Sequence, residues 1–267
     1  MTSEDLLSRL VLEARQDLQR RRHLMDSDRF EQAVAAYTPK DFAGALRGPK
    51  LAVIAEMKQR TPSMGVLSED YRPADLAHAY AEGGAAAISV LTHMAGFGGR
   101  VEHLRAVRAT TGLPILRKDF VTDAYEVAEA RAAGADAVLL IVAALNPDEL
   151  RNLIALTRSL GIAALVEVHD ERESAAALEA GATVIGINHR DLRTFEVDLG
   201  LTERLRKLIA PEVIVVAESG IHSADDAKRL REAGADAVLV GELLMRSGDP
   251  AAQIRDLITP GARRAHF

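Results

Sequence analysis

The sequence predicts an α/β fold in which eight parallel strands and their crossover helices close into a (β/α)8 barrel. Three observations carry this reading. The string RAAGADAVLLI at 131–141 recurs as REAGADAVLVG at 231–241, a hundred residues on, with eight of eleven positions identical. Short apolar runs alternate with amphipathic helical patterns along most of the chain, the order expected of parallel strands joined by helices. The length, 267 residues, matches the roughly 250 residues of one such barrel. Together they specify a TIM barrel with an N-terminal helical extension. An open doubly wound sheet is the competing reading.

Residues 1–48 do not fit the repeat. Over 3–25, Leu6, Leu10, Val11 and Leu18 fall at roughly helical spacing, and a second short helix is expected over 28–36. The run Arg20-Arg21-Arg22 reads as a solvated helix face, with an anion site as the alternative. Strands are expected at 51–57, 87–92, 114–118, 137–142, 162–168, 184–188, 213–218 and 237–241. Helical patterns lie between them at 74–83, 101–112, 124–134, 147–161, 171–181 and 223–234. Gly84, Gly134, Gly181 and Gly234 recur at separations of 50, 47 and 53 residues, about two βα units each. A glycine there suits the left-handed position that ends a helix. The β-branched runs that follow suit strands buried on both faces. The repeated string therefore falls on strands 4 and 8. No low-complexity linker interrupts the chain, so it reads as one domain, an extension over 1–48 and a barrel over 49–267.

Composition narrows the function. The net charge is −6 and the pI about 5.8, which argues against nucleic acid as a partner. No apolar run approaches the ~20 residues of a membrane span. The start, MTSEDLLSRL, is acidic and amphipathic rather than a secretory signal. There is no Cys, which excludes disulfides, thiolate metal sites and Cys nucleophiles and fits a reducing cytoplasm. The His residues show no metal-binding spacing, so no metal site is expected. No Gly-rich dinucleotide fingerprint follows strand 1. Ser63 and Ser219 have no His–Asp arrangement beside them in the sequence. The barrel helices show no clear seam, so a monomer or weak homo-oligomer is expected.

In this fold the active site forms at the C-terminal ends of the strands, and that is where the unusual charges fall. Strand 1 ends in Glu56-Met57-Lys58, strand 3 in Lys118-Asp119-Phe120, strand 6 in Asn188-His189-Arg190 and strand 7 in Glu218-Ser219-Gly220. Strand 5 carries Glu167, and strand 8 ends in Gly241-Glu242. Residues two apart on a strand share a face, so Glu56 pairs with Lys58 and Lys118 with Phe120. One such charge would be barrel-end salt bridging. Two lysines and three glutamates converging from four strands point to acid–base chemistry, because buried opposite charges shift one another's pKa. His189 reads as a rim residue. Ser219-Gly220 and Gly241-Glu242, the latter opening the helical run ELLMRSG, offer backbone N–H groups to a phosphate.

At these residues the chain resembles the indole-3-glycerol phosphate synthase family of tryptophan biosynthesis. The resemblance runs through IAEMKQRTPSMG (54–65), ISVLT (88–92), FGG (97–99), PILRKDF (114–120), ALVEVHD (164–170), IGINHRDL (185–192), VVAESGI (215–221) and DAVLVGELLM (236–245). It covers the chain, extension included. It implies a phosphorylated small-molecule substrate, 1-(2-carboxyphenylamino)-1-deoxyribulose 5-phosphate, closed to an indole with release of CO2 and water and without a cofactor. Lys118 would be the general acid at the carbonyl and Glu167 the acid/base for loss of water. Lys58 would hold the substrate carboxylate, with Glu56 tuning the lysines. Asn188 and Arg190 would position the anthranilate, and Phe97 and Phe120 would pack its ring. Thr61, Ser63 and Glu218 would lie at the substrate, with Ser219, Gly220, Gly241 and Glu242 at the phosphate. The N-terminal helices would cover the barrel mouth and exclude water.

The chain departs from the family at several loop positions. Thr61 stands where Ser is usual, Met64 and Ser68 replace basic residues, His93-Met94 replaces an acidic pair, and Arg100 replaces Ser. Two rivals remain. Phosphoribosylanthranilate isomerase resembles a Cys/Asp enzyme, and this chain has no Cys. A non-catalytic phosphate-binding barrel would not require both Lys118 and Glu167.

Overall fold

Strands β1 (Ala52–Met57), β2 (Ala87–Leu91), β3 (Ile115–Lys118), β4 (Ala137–Ile141), β5 (Ala163–Val168), β6 (Val184–Asn188), β7 (Ile214–Glu218) and β8 (Ala237–Val240) form a closed, all-parallel barrel. β1 pairs with both β2 and β8, so the sheet has no edge, and the open doubly wound reading falls. Each strand lies within one residue of its expected bounds. The structure is a computed structural model that describes residues 3–22, 27–61, 65–191 and 194–259.

The repeated string has a physical basis at the start of each strand. Gly134 and Gly234 both adopt φ 94°, the left-handed conformation that ends the preceding helix without a Cβ clash. The aspartate that follows closes the lower rim. Asp136 Oδ2 accepts from Ile115 N at 2.7 Å, and Asp236 Oδ2 accepts from Val215 N at 2.8 Å. Each carboxylate satisfies a backbone donor that the parallel ladder leaves open at its end.

Inside the barrel, side chains from alternate strands stack in layers. Ile54, Leu116, Leu165 and Val216 come from odd-numbered strands, and Ala87, Ala137, Val184 and Ala237 from even-numbered ones, all buried in one apolar cluster. A second cluster lies outside the sheet, between the strands and the helices. It includes Val53, Ala55 and Met57, the neighbours of Ile54 that point the other way.

The extension comprises α1 (Ser3–Arg22), α2 (Ser27–Ala36) and α3 (Phe42–Ala45). α1 buries Leu10, Val11, Ala14 and Leu18. Its basic run is a clamp rather than the expected solvated face or an anion site. Arg21 Nε donates to Glu129 Oε1 at 3.0 Å, and Arg22 pairs with Asp123. Only Arg20, with a side chain 75% exposed, keeps to the solvated reading. The clamp's partners lie on and before α7 (Ala124–Ala132). Phe30 of α2 stacks on Tyr125 of the same helix, ring centroids 4.7 Å apart.

The extension also reaches the far end of the barrel. Tyr37 Oη and Lys40 N both donate to Asp136 Oδ1, at 2.7 and 2.6 Å, on the opposite rim. Phe42 and Leu46 are buried among Ala52, Ala87 and Ile214 and close the floor. The chain must reach that end because β1 begins there.

Candidate active site

The layer above Ile54, Leu116, Leu165 and Val216 is charged. Two residues further along the same strands stand Glu56, Lys118, Glu167 and Glu218. Lys118 Nζ donates to Glu218 Oε2 at 2.6 Å and to Glu167 Oε2 at 3.2 Å. Lys58 Nζ donates to Glu56 Oε1 at 2.7 Å. Asn188 Nδ2 donates to Glu167 Oε1 at 3.1 Å, while its own Oδ1 accepts from Arg190 N at 3.1 Å. Glycines make space for this layer. A Cβ at Gly186 would collide with Glu218 Oε1, and one at Gly241 with Glu56 Oε1.

These charges hold one another. Burial opposes the Lys118 cation, but Glu218, Glu167 and Glu56 outweigh it and push its pKa well above the lysine range. Burial likewise opposes ionisation of Glu56, yet Lys58 and Lys118 bring its pKa down. Glu167 is also lowered against burial, by Lys118, His169 and Asn188. Glu218 goes the other way. Burial first, then the negative charges of Glu167 and Glu56, raise it to about 7 in spite of Lys118. Two carboxylates thus share one lysine, and their pKa values are pushed in opposite directions, an arrangement that separates acid from base.

Above the layer opens a cavity of about 480 Å³. Glu56, Lys58, Lys118, Glu167 and Asn188 form its base, with Thr61, Arg190, Glu242 and Gly241 around the wall. Leu6, Leu7 and Leu10 of α1 supply an apolar roof. Glu218, expected against the substrate, is not on the wall; it is 1% exposed and lies beneath Lys118. Ser63 and Met64 lie outside the described residues. Ser68, Met94 and Arg100 do not reach this cavity.

One side of the cavity is aromatic. Phe97 and Phe120 lie with ring centroids 6.5 Å apart. His93 meets Phe120 edge-on at 5.0 Å and Phe97 at 6.3 Å. Its Nδ1 accepts from Gly96 N at 3.2 Å, which fixes the ring at the head of α5 (Met94–Phe97). The sequence marks His93 only as a departure from the family pattern. Its place in the aromatic wall follows from the turn after β2, which strand alternation does not reach.

The other side is a strained turn. Ser219 has φ 67° and Gly220 φ 74°. A non-glycine residue there is uncommon and stores strain, and a Cβ at Gly220 would collide with Val197. His189, expected on the rim, is 2% exposed and off the cavity wall. Its Nδ1 lies 3.0 Å from the Ser219 carbonyl oxygen and its Nε2 2.7 Å from Thr202 Oγ1. Burial lowers its pKa. The neutral ring therefore donates from Nδ1 to the carbonyl and accepts the Thr202 hydroxyl at Nε2. Arg246 Nε donates to Glu242 Oε1 at 3.1 Å, so the carboxylate beside Gly241 is engaged by a cation.

Among the described residues no group of three His, Cys, Asp or Glu side chains could hold a metal ion. None of their helices is long and apolar enough to cross a membrane.

Residues 7–257 match the family described as indole-3-glycerol phosphate synthase. The chain belongs to that family. It is 58% identical over 254 residues to indole-3-glycerol phosphate synthase 2 of Streptomyces coelicolor, covering 95% of this chain and 98% of the relative. It is 48% identical to an indole-3-glycerol phosphate synthase of Mycolicibacterium smegmatis, over 98% of this chain and 96% of that one. More distant solved structures share the fold alone. A 3-hexulose-6-phosphate synthase from Salmonella typhimurium aligns over 78% of this chain and 96% of its own with TM-score 0.61 and 16% identity. A thiamine phosphate pyrophosphorylase from Pyrococcus furiosus covers 78% and 93% with TM-score 0.59 and 19% identity.

Proposed function

We infer that the chain closes 1-(2-carboxyphenylamino)-1-deoxyribulose 5-phosphate to indole-3-glycerol phosphate, releasing CO2 and water. The observation that carries this reading is Lys118, shared between Glu167 and Glu218 at the base of a cavity with an aromatic wall and a strained turn.

The aromatic carbon that bears the carboxylate attacks the ketone carbon, and the carbonyl oxygen gathers negative charge. Lys118, held as a cation, stabilises that oxygen first and then gives it a proton. An alkoxide is basic enough to take a proton even from a lysine so held. Loss of CO2 returns the electron pair to the ring. The new hydroxyl then leaves as water, which requires a proton on oxygen and removal of one from the adjacent carbon. Glu167, kept ionised, is suited to the second task and Lys58 to the first.

Lys58 also meets the substrate carboxylate, and Glu56 keeps Lys58 placed through their 2.7 Å bond. Asn188 and Arg190 orient the anthranilate against Phe97, Phe120 and His93, with Thr61 alongside. Arg190 has the planar fork that suits a carboxylate. Ser219, Gly220 and Gly241, with Glu242 beside them, take the phosphate through backbone N–H groups. Glu218 tunes Lys118 from below. α1 excludes water from the mouth, which strengthens every charge inside, and residues 1–48 act as a covering extension of the single barrel domain. The protein works on a small phosphorylated molecule, without metal or cofactor, in the cytoplasm as a monomer or weak homo-oligomer.

The deciding assay is turnover of the carboxyphenylamino-deoxyribulose phosphate, followed by indole fluorescence with the product mass confirmed. Formation of indole-3-glycerol phosphate is expected. Tight binding without turnover would favour a phosphate-binding barrel and overturn the reading.

A further inference from the structure

Beside Glu167, and off the cavity wall, lies a second pair of groups that the ring-closing scheme does not use. His169 follows Glu167 by two residues at the end of β5, so both side chains leave the same face. His169 Nε2 lies 3.3 Å from Glu167 Oε1, the oxygen that also accepts from Asn188 and that Lys118 does not touch. That nitrogen is buried and makes no hydrogen bond, so the ion-pair contact with Glu167 is its one polar approach among the described residues. His169 Nδ1 lies 3.0 Å from Glu173 Oε2. The same oxygen accepts His169 N at 2.8 Å, so Glu173 holds the residue by ring and backbone together. Glu173 is itself fixed, because it sits in the first turn of α9 (Glu171–Glu179) with its N–H donating to Asp170 Oδ1 at 2.8 Å.

We propose that His169, clamped by Glu173, is a positioning residue for Glu167, setting the plane of its carboxylate through the oxygen that Lys118 does not touch. His169 is not on the cavity wall and touches no reacting atom. It acts through Glu167, and the inference rests on the acid/base role given to that residue above.

The geometry also sets the charge. Each ring nitrogen faces a carboxylate, and both contacts are attractive only when both nitrogens carry protons. Burial disfavours the imidazolium, but Glu167 and Glu173 outweigh it and raise the pKa to about 10. Glu167 then lies between Lys118 and the His169 imidazolium, with Asn188 on one oxygen and the carboxylates of Glu56 and Glu218 nearby. His169 itself faces Glu167 and Glu173. Removing His169 would both free the Glu167 carboxylate to rotate and withdraw one of its two cations.

The test compares His169→Leu, which has no donor, with His169→Gln, whose amide can still donate to Glu167 but carries no charge. In folded protein, checked by thermal melt, His169→Leu is expected to lower kcat by about ten- to a hundredfold, the scale of a misplaced catalytic group. KM should stay within about threefold, since no substrate contact is lost. The acid limb of the kcat–pH profile should move to higher pH. His169→Gln should recover most of kcat and keep the moved limb. If His169→Leu does not fold, Glu173→Gln provides the same reading, with a smaller fall in kcat and the limb moved in the same direction. An unchanged kcat in folded His169→Leu, or in Glu173→Gln where that variant stands in, overturns the proposal. So does a loss that Gln does not rescue and that leaves the pH limb in place, which is the pattern of simple packing damage. Glu167→Gln separates the two levels. If it turns over normally, the acid/base reading of Glu167 fails and this inference falls with it. If it is inactive while His169→Leu is normal, only the inference fails.

Discussion

Arg117 and Lys118 are adjacent in the chain, and both are buried cations on β3, yet they serve opposite ends. Lys118 points into the barrel, where it meets Glu167 and Glu218 below an open cavity. Arg117 points outward, under α7, and is fully buried. It donates to Thr92 Oγ1 at 3.1 Å, to Asp119 Oδ2 at 3.1 Å, to Glu129 Oε2 at 2.8 Å and to the Glu126 carbonyl at 3.1 Å. Glu129 in turn accepts from Arg21 of α1. Asp119 Oδ1 accepts the backbone N–H of Phe120, and Thr92 Oγ1 donates to Asp119 Oδ2.

The difference lies in what faces the cavity. The planar guanidinium makes four hydrogen bonds to fixed protein partners and does not reach the cavity. Lys118 is a point charge with one side open to the cavity, and beneath it Glu218 Oε1 is buried without a partner. Both clusters bear buried charge, and the one whose lysine faces the cavity is placed to do chemistry. The enclosed network contributes position. From α1 through Glu129 to Arg117, the outer network ties the roof of the cavity to the back of the strand that carries Lys118.

The comparison breaks most readily at its two centres. Lys118→Met should lower kcat per folded molecule by about 10²–10³-fold or more, the scale of losing an oxyanion donor. A kcat near the parent's would remove Lys118 from the chemistry. Arg117→Met should do the reverse. It leaves Asp119 without its cation and Glu129 with Arg21 alone, which costs about 3–5 kcal/mol, read as a lower urea midpoint with unchanged slope. Turnover per folded molecule should remain close to the parent's. A large kcat loss at full stability would show that the two faces are not separate.

A smaller effect sharpens the outer network. Burial raises Glu126, beside Arg117, to about 7 from its ordinary 4.5. Between those values the folded state binds more protons than the unfolded one, so Glu126 lowers stability as pH rises through the window. Parent stability relative to Glu126→Gln should therefore fall from about pH 4.5 to about pH 7 and level off above. Denaturant titrations of both proteins at several pH values check this, and a flat difference would contradict it.

Much of this architecture is written locally. The strands are apolar β-branched runs, the helices end at glycines of recurring spacing, and the repeated Ala-Gly-Ala-Asp marks strands 4 and 8. Period-two alternation then places Glu56, Lys118 and Glu167 on the inner face at the C-terminal end, because a strand has only two faces. The same rule puts Arg117 outside and pairs His169 with Glu167, although neither residue stands out until its neighbours are known.

What folding alone decided is whatever depends on elements far apart in the chain. Glu218 was legible as a strand-end charge, but that it lies under Lys118 rather than against a ligand follows from how β3 and β7 face each other, with Gly186 leaving the space. The basic run of α1 reads as solvated until Glu129 and Asp123, about a hundred residues on, arrive to pair with it. His189 becomes a prop for the Ser219 turn only when Thr202 and the end of β7 enclose it. The sequence by itself determined the barrel, the end of it that carries the site and most of the groups assembled there. The tertiary structure decided which charges are enclosed and which face the cavity, because partner number and burial are set by packing between distant segments rather than by any local pattern.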